Sequence, residues 1–448
     1  MARKILVLEI IFIFLFLLCP KAYCATIDDV IKANPQFHSA VIGISVKDAN
    51  SGAVVYQKNS HTLLHPASTL KIVTSAPALD YLGEKYNFYT RIYKNGQNTH
   101  LKLSADPLFT YADMQNLIAQ YKSRNNGLIK TIIIEDTIID KIPYGLGWQW
   151  DDNTNIHFPQ ISPYVINDNI FLVKAKINDK NDVVLENAVE YSEPIINNLK
   201  LGEKNSIKIE RNIFDENQSI TLNGTIKETK IIKIPALNPQ KLFNNVLCYV
   251  FIQNQIPFYS NFKYAKTPRF SPIEAEISHS IIEVLDEINQ NSNNLAAEIL
   301  VKHVGAIKTE STGTTEDGLM VVKDFYARNG VNLKNIILVD ASGASMNDYV
   351  TADFMTNALK AIKNSSNFLA INNSMSTPAK GTFKGRIPEL NGSIQVKTGT
   401  LANTSAVVGY LKTKSGRDLV FAIMLDNLPK NVKAKEFENS LIKVIAEL

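Results

Sequence analysis

Pro66-Ala67-Ser68-Thr69-Leu70-Lys71, continuing into Ile72-Val73-Thr74-Ser75-Ala76, reads as a loop that enters a helix. On a helix, residues three apart share a face, which places Ser68 over Lys71. The serine also lies near the positive, N-terminal end of the helix dipole. A serine hydroxyl is a poor nucleophile until a base takes its proton. A lysine can be that base if burial and nearby cations depress its pKa. Alone, Ser-x-x-Lys is a weak signal, because a helix cap beside a solvated lysine has the same spelling.

Two elements downstream give it weight. Ser292-Asn293-Asn294 opens the run Leu295-Ala296-Ala297-Glu298-Ile299-Leu300. Ser and Asn are good helix starters, so a plain N-cap is the competing reading. Lys397-Thr398-Gly399-Thr400 lies in a strand-like stretch between Val396 and Leu401. An edge strand with an exposed lysine would look similar, yet a glycine there also lets a ligand approach the backbone closely. Each element is unspecific alone; the ordered set Ser-x-x-Lys, Ser-x-Asn, Lys-Thr-Gly is specific.

The rest of the chain bounds the answer. Its 448 residues suffice for two or three domains of roughly 150 residues each. A 45% hydrophobic and 20% charged composition is that of a globular protein, not of a disordered or multi-span chain. The net charge of +4 is mild and no Lys/Arg run is long enough for a nucleic-acid patch. Arg3 and Lys4 precede an apolar run, Ile5 to Cys19, broken only by Glu9, and Ala22-Tyr23-Cys24 ends in small residues where a signal peptidase reads. The run is shorter than the ~20 residues of a spanning helix. Residues 1–24 are therefore expected to be a signal peptide, with at most peripheral membrane contact for the mature chain. A lipoprotein site at Cys24 is disfavoured by Lys21. Of three cysteines, Cys19 and Cys24 fall in this leader, which leaves Cys248 in the apolar run Val246–Phe251, expected to be a buried structural thiol without a disulfide partner. The seven histidines show no metal-ligand spacing.

Three textures follow the leader. Ala40–Val46 and Ala53–Tyr56 flank the turn Asp48-Ala49-Asn50-Ser51-Gly52 as a predicted hairpin. Residues from about 86 to 271 are rich in Asn, Ile and Lys and carry short β-like runs such as Thr131–Ile134 and Ile207–Ile209. Residues 272–448 return to helices and strands: Ile281–Ile288 and Asn294–His303 are helical by apolar spacing. Strands are predicted at Gly392–Thr398, Thr404–Lys412 and Leu419–Leu425, and a helix at Lys433–Leu448.

The three motifs resemble those of serine β-lactamases and penicillin-binding proteins. The chain is most similar to low-molecular-mass class C penicillin-binding proteins, the D-alanyl-D-alanine carboxypeptidase/endopeptidase family. The stretch Pro66 to Gly83, the segment Asp340-Ala341-Ser342-Gly343-Ala344-Ser345, the strand Lys397–Leu401, Val408-Gly409-Tyr410 and Val420–Ile423 carry the likeness. The separation of Ser68 from Ser292 is far greater than in class A β-lactamases. The sequence departs from the family pattern at Lys380-Gly381-Thr382-Phe383, usually D-G-T-L, at Ala341, usually Gly, and at Ser104-Ala105-Asp106-Pro107.

The resemblance implies an α/β (α+β) transpeptidase/β-lactamase-like serine hydrolase domain, residues 25–85 and 272–448, with two inserted β-rich domains, one of residues 86–171 and 252–271 and another of residues 172–251. It implies that Ser68 attacks a D-Ala-D-Ala or D-Ala-diaminopimelate bond while neutral Lys71 takes its proton. Ser292 would relay a proton to the leaving amine, and Asn294 would hold Lys71 and the substrate amide. The oxyanion would sit between the backbone N–H groups of Ser68 and Thr400. Lys397, Thr398 and Thr400 would bind the substrate carboxylate, and Gly399 would admit the backbone. Trp148-Gln149-Trp150-Asp151-Asp152 resembles a family motif in which the residue matching Asp152 meets the amine of a diaminopimelate side chain. The expected partners are peptidoglycan stem peptides and β-lactam inhibitors, without nucleic acid, metal or cofactor, in the periplasm. Two other readings stay open: a serine β-lactamase, with Glu193 in a superficially similar Glu193-Pro194-Ile195-Ile196-Asn197 loop, and a non-catalytic peptidoglycan-binding relative.

Overall fold

A computed structural model of the chain describes residues 26–187, 193–214, 218–268 and 272–448. The expected leader, residues 1–24, lies outside the described residues.

The two ends of the chain build one sheet. Its antiparallel strands run in the order Ile394–Leu401, Thr404–Lys412, Asp418–Asp426, Val41–Asp48, Val54–Lys58. The hairpin expected around Asp48–Gly52 is its edge, and Val41 pairs with Asp426 across the seam between N- and C-terminal strands. Side chains alternate sides with period two. Thus Val420, Ala422 and Met424 join one apolar cluster, while Leu419, Phe421, Ile423 and Leu425 join another. A strand buried on both faces has to read as a continuous apolar run, and Leu419–Leu425 does.

On one face pack the helices Leu70–Leu82, Ile281–Asn289, Asn294–Thr309, Thr315–Arg328 and Ala352–Lys363. On the other lie Ile27–Lys32 and Ala434–Ala446. The helix that follows Ser68 contains Pro77, which has no N–H to give the Val73 carbonyl. The hydroxyl of fully buried Tyr326 donates to that carbonyl instead, at 2.9 Å. A neighbouring helix therefore repairs the hydrogen bond that the proline removes.

The intervening residues form a second five-stranded sheet, in the order Phe262–Tyr264, Thr131–Glu135, Asn98–Lys102, Asn87–Asn95, Ile273–Ser280, and two three-stranded sheets. Strand Ile273–Ser280, beyond residue 272, hydrogen-bonds to Asn87–Asn95, so this sheet takes in residues C-terminal to the expected junction. The apolar run around Cys248 is the helix Pro239–Gln253, which packs with the helix Tyr111–Arg124 rather than with a strand core of its own. Cys248 is half-buried there, less enclosed than expected, and burial raises its thiol pKa.

A small cluster joins this region to the helices packed on the first sheet: Ala105, Ile139, Ile161 and Val165 pack on Leu295 and Ile299. Buried Lys302 adds an ion pair with Asp140 at 2.6 Å. Both contacts grip the helix that begins at Asn294. Among the described residues, no helix is long and apolar enough to cross a membrane.

Candidate active site

Ser68 sits in a single 3-10 turn, Ala67–Thr69, that runs straight into the helix Leu70–Leu82. Lys71 follows within that helix, its side chain fully buried. Its Nζ has three hydrogen-bond acceptors: Ser68 Oγ at 2.9 Å, Asn294 Oδ1 at 2.6 Å and the Ser342 carbonyl at 2.8 Å. Burial brings the lysine from its usual 10.5 down to about 7, against the opposing pull of Asp340 and Glu298. A neutral amine keeps two N–H donors and one lone pair. With the donors held by Asn294 and Ser342, the tetrahedral nitrogen turns its lone pair to the Ser68 hydroxyl. That is the geometry of a general base.

The strand Ile394–Leu401 passes directly over the nucleophile. A Cβ added at Gly399 would lie 2.9 Å from the Ser68 backbone nitrogen and 2.9 Å from the Ala67 Cβ. Only glycine lets the strand come so near the turn that holds Ser68, and its neighbour Thr400 lines the same cleft as Ser68. Gly343 has the same office on the other side: its φ is +72°, and a Cβ there would stand 2.0 Å from the Ala67 carbonyl oxygen.

Lys397 is placed otherwise than the sequence suggested. It is fully buried and does not line the cleft; its Nζ donates to Ser292 Oγ at 2.9 Å and to the Thr398 carbonyl at 3.0 Å. Burial, followed by the charge of Lys71, holds its pKa well below the usual lysine range. Ser292 itself has φ +62°, a conformation costly for any residue but glycine. The helix cap is the next residue: the Asn293 side chain accepts from Ala296 N. Ser292 is thus held in a strained turn between Lys397 and the cleft, not used as a cap.

The cleft has a volume of about 570 Å³. Ser68, Ser292, Asn294, Thr398, Gly399, Thr400 and Asp152 all line it, so the three motifs and Asp152 meet in one place, with Lys71 and Lys397 behind. Asn294 Nδ2 donates to the His157 carbonyl at 2.7 Å. That amide, expected to meet substrate, is already bound to the segment that carries Asp152. Both His157 and Phe158 line the cleft. Half-buried Asp152 lies in the turn Trp150–Thr154; partial burial raises its carboxyl pKa, opposed by a hydrogen bond from Asn155.

Three participants were not assigned from sequence. Thr382, in the variant segment Lys380–Phe383, shares a hydrogen bond with the Thr398 hydroxyl at 2.6 Å and lines the cleft. The Ser342 carbonyl is a backbone group, which no motif spells. Trp148 Nε1 donates to Asp340 Oδ2 at 2.9 Å and ties the two loops that flank the cleft; the resemblance of both loops to family segments was the available signal. Glu193 does not line the cleft; its Oε1 accepts from Leu237 N at 2.7 Å.

The profile of the D-Ala-D-Ala carboxypeptidase 3 (S13) family matches residues 23–448. A D-alanyl-D-alanine carboxypeptidase of Actinomadura sp. (strain R39) is 24% identical over 435 residues, 88% of this chain and 79% of that one. D-alanyl-D-alanine carboxypeptidase DacB of Haemophilus influenzae is 21% identical over 430 residues, 89% of this chain and 90% of that one. The crystal structure of penicillin binding protein 4 (dacB) from Haemophilus influenzae superposes with a TM-score of 0.83 at 18% identity, over 94% of this chain and 100% of that one. Its complex with a β-lactam gives 0.78 at 17% identity over 95% and 100%.

Proposed function

The chain belongs to the D-Ala-D-Ala carboxypeptidase 3 (S13) family, and from that premise we propose that its cleft opens both D-Ala-D-Ala and D-Ala-diaminopimelate bonds of peptidoglycan through an acyl-enzyme on Ser68. The protein is a serine-type hydrolase of peptidoglycan peptides. One observation carries the mechanism: Lys71 Nζ lies 2.9 Å from Ser68 Oγ while two fixed acceptors hold its other donors.

Neutral Lys71 takes the Ser68 proton as Oγ attacks the D-alanyl carbonyl. The oxyanion forms between the amides of Ser68 and Thr400, where preorganised donors outweigh those of water. Ser292 lies between Lys397 and the cleft, so its hydroxyl relays to the leaving amine the proton that Lys71 took from Ser68, while Lys397 orients that hydroxyl by donating to its oxygen. The terminal carboxylate meets the hydroxyls of Thr398, Thr400 and Ser292. Lys397 acts from beneath by donating to Ser292 Oγ rather than by direct contact. Asp152 receives a free side-chain amine at the far wall. Water then releases the acyl group.

The division into a catalytic domain and two β-rich insertions is part of the same proposal, as is export to the periplasm. The β-lactamase reading loses its proposed Glu193, which does not line the cleft. The test is incubation of purified enzyme with muropeptide monomers and cross-linked dimers, alongside a fluorescent penicillin. Loss of terminal D-Ala, splitting of dimers and a stable label on Ser68 are expected. Rapid turnover of the penicillin with no muropeptide cleavage would overturn the proposal in favour of a β-lactamase, and absence of both label and cleavage in favour of a binding protein.

A further inference from the structure

The Ser342 carbonyl is one of the two fixed acceptors that orient Lys71, and a loop carbonyl is only as well aimed as its loop. Two buried carboxylates hold this one. Asp340 Oδ1 accepts from Gly343 N at 2.7 Å, and its Oδ2 accepts from Ser345 N at 2.8 Å. Glu298 Oε1 accepts from Ala341 N at 3.0 Å and Ser342 N at 2.9 Å, the amides on either side of the Ala341–Ser342 turn. The Thr74 hydroxyl donates to the Ala341 carbonyl at 2.8 Å and closes the frame from the Ser68 helix.

Glu298 and Asn294 lie four residues apart on the helix Asn294–Thr309 and so share a face. Asn294 reaches Lys71 directly; Glu298 reaches it through the Ser342 peptide. We propose that Glu298 is a positioning residue of the acylation step, which aims the Ser342 carbonyl at Lys71 Nζ and so points the lysine lone pair at Ser68. The inference rests on Lys71 being the base, as proposed above.

Glu298 is fully buried, and its Oε2 has no hydrogen-bond partner. An unsatisfied buried carboxylate oxygen is costly, a cost set against the two loop amides that Oε1 satisfies. The charged groups that face Glu298 are Asp340 from the loop, Lys302 from its own helix and Lys71 from the Ser68 helix. Burial, followed by Asp340, pushes its carboxyl up to about 8, so a neutral side chain that keeps the same acceptor should serve nearly as well.

The test is the pH profile of the second-order rate of penicillin acylation, with mass spectrometry to locate the label. Glu298→Ala removes the acceptor, frees the loop and leaves Lys71 with a loose partner. The plateau is expected to fall about a hundredfold, the cost of a modest misplacement of a reacting group. Because the lysine cation loses a well-aimed carbonyl acceptor, its pKa drops, and the acid limb moves to lower pH. Glu298→Gln retains Oε1 and is expected to restore the plateau to within about threefold. A folded Glu298→Ala with the wild-type plateau and limb would overturn the proposal, as would a folded Glu298→Gln no better than Ala. Should the Ala variant not fold, Glu298→Asp withdraws the carboxylate by one methylene: a lowered plateau with a displaced limb supports the proposal, and wild-type values overturn it. A wild-type enzyme that takes no label on Ser68 would instead refute the function on which the proposal rests.

Discussion

Lys397 Nζ donates to Ser292 Oγ at 2.9 Å and stops short of the cleft surface. On the proposed mechanism the Lys397 amine acts on substrate through that hydroxyl, so Ser292 is the point at which proton delivery can be cut. Ser292→Ala is expected to lower penicillin acylation by about 10²- to 10⁴-fold, the range for losing a positioned proton-transfer group. Ser292→Gly should be equally inactive yet more stable than the alanine variant by about 1 kcal/mol, because glycine adopts φ +62° without the penalty alanine bears. Rate constants and thermal unfolding of the two variants check both halves; an alanine variant as stable as the glycine one would remove the strain argument.

Ser68→Ala should abolish labelling by fluorescent penicillin and leave the fold intact. The serine side chain caps neither the 3-10 turn nor the helix, and even a lost helix cap costs only about 1 kcal/mol. Circular dichroism and gel fluorescence are the measurements, and a labelled, folded variant would take Ser68 out of the mechanism.

Acylation should depend on pH through Lys71. The base must be neutral, and burial sets its pKa at about 7. Below that value the lysine is increasingly protonated, so the rate is expected to fall about tenfold per pH unit; above it the rate levels off. Lys71→Arg should be inactive at every pH, because a guanidinium does not give up its proton. The initial rates of acylation from pH 5 to 9 decide the matter.

Asp152→Asn should weaken hydrolysis of peptides that carry a free side-chain amine by about tenfold to a hundredfold, the value of a charge-assisted hydrogen bond. Acylation by a penicillin without such an amine should hardly change. Equal losses with both reagents would make Asp152 a support of the turn Trp150–Thr154 and not a substrate contact.

Tyr326→Phe tests the repair of the proline-broken helix. Without the hydroxyl, the buried Val73 carbonyl has no donor, since Pro77 cannot supply one. The expected loss is about 1–3 kcal/mol of stability. Tyr326 lies away from the cleft, so the acylation plateau should stay within a few-fold of wild type. A variant with unchanged melting temperature would show that the carbonyl finds another partner.

Much of this protein was legible in the chain because it depends on local spacing. Lys71 lies three positions after Ser68, and a helix converts that spacing into proximity without help from elsewhere. The continuous apolar run Leu419–Leu425 and the turn Asp48–Gly52 likewise report strand and hairpin from the local sequence alone. The order of the three motifs then led to the family, whose profile covers residues 23–448. Tertiary structure decided what depends on desolvation and on backbone groups. Lys397 reads as a surface-capable cation, and only its burial beneath Ser292 turns it inward. The Ser342 carbonyl has no side-chain signature, and its aim at Lys71 follows from where Glu298 and Asp340 pin a loop. Lys71 itself is an ordinary lysine in the sequence; it becomes a base near neutral pH because the packed helices remove water from its ammonium.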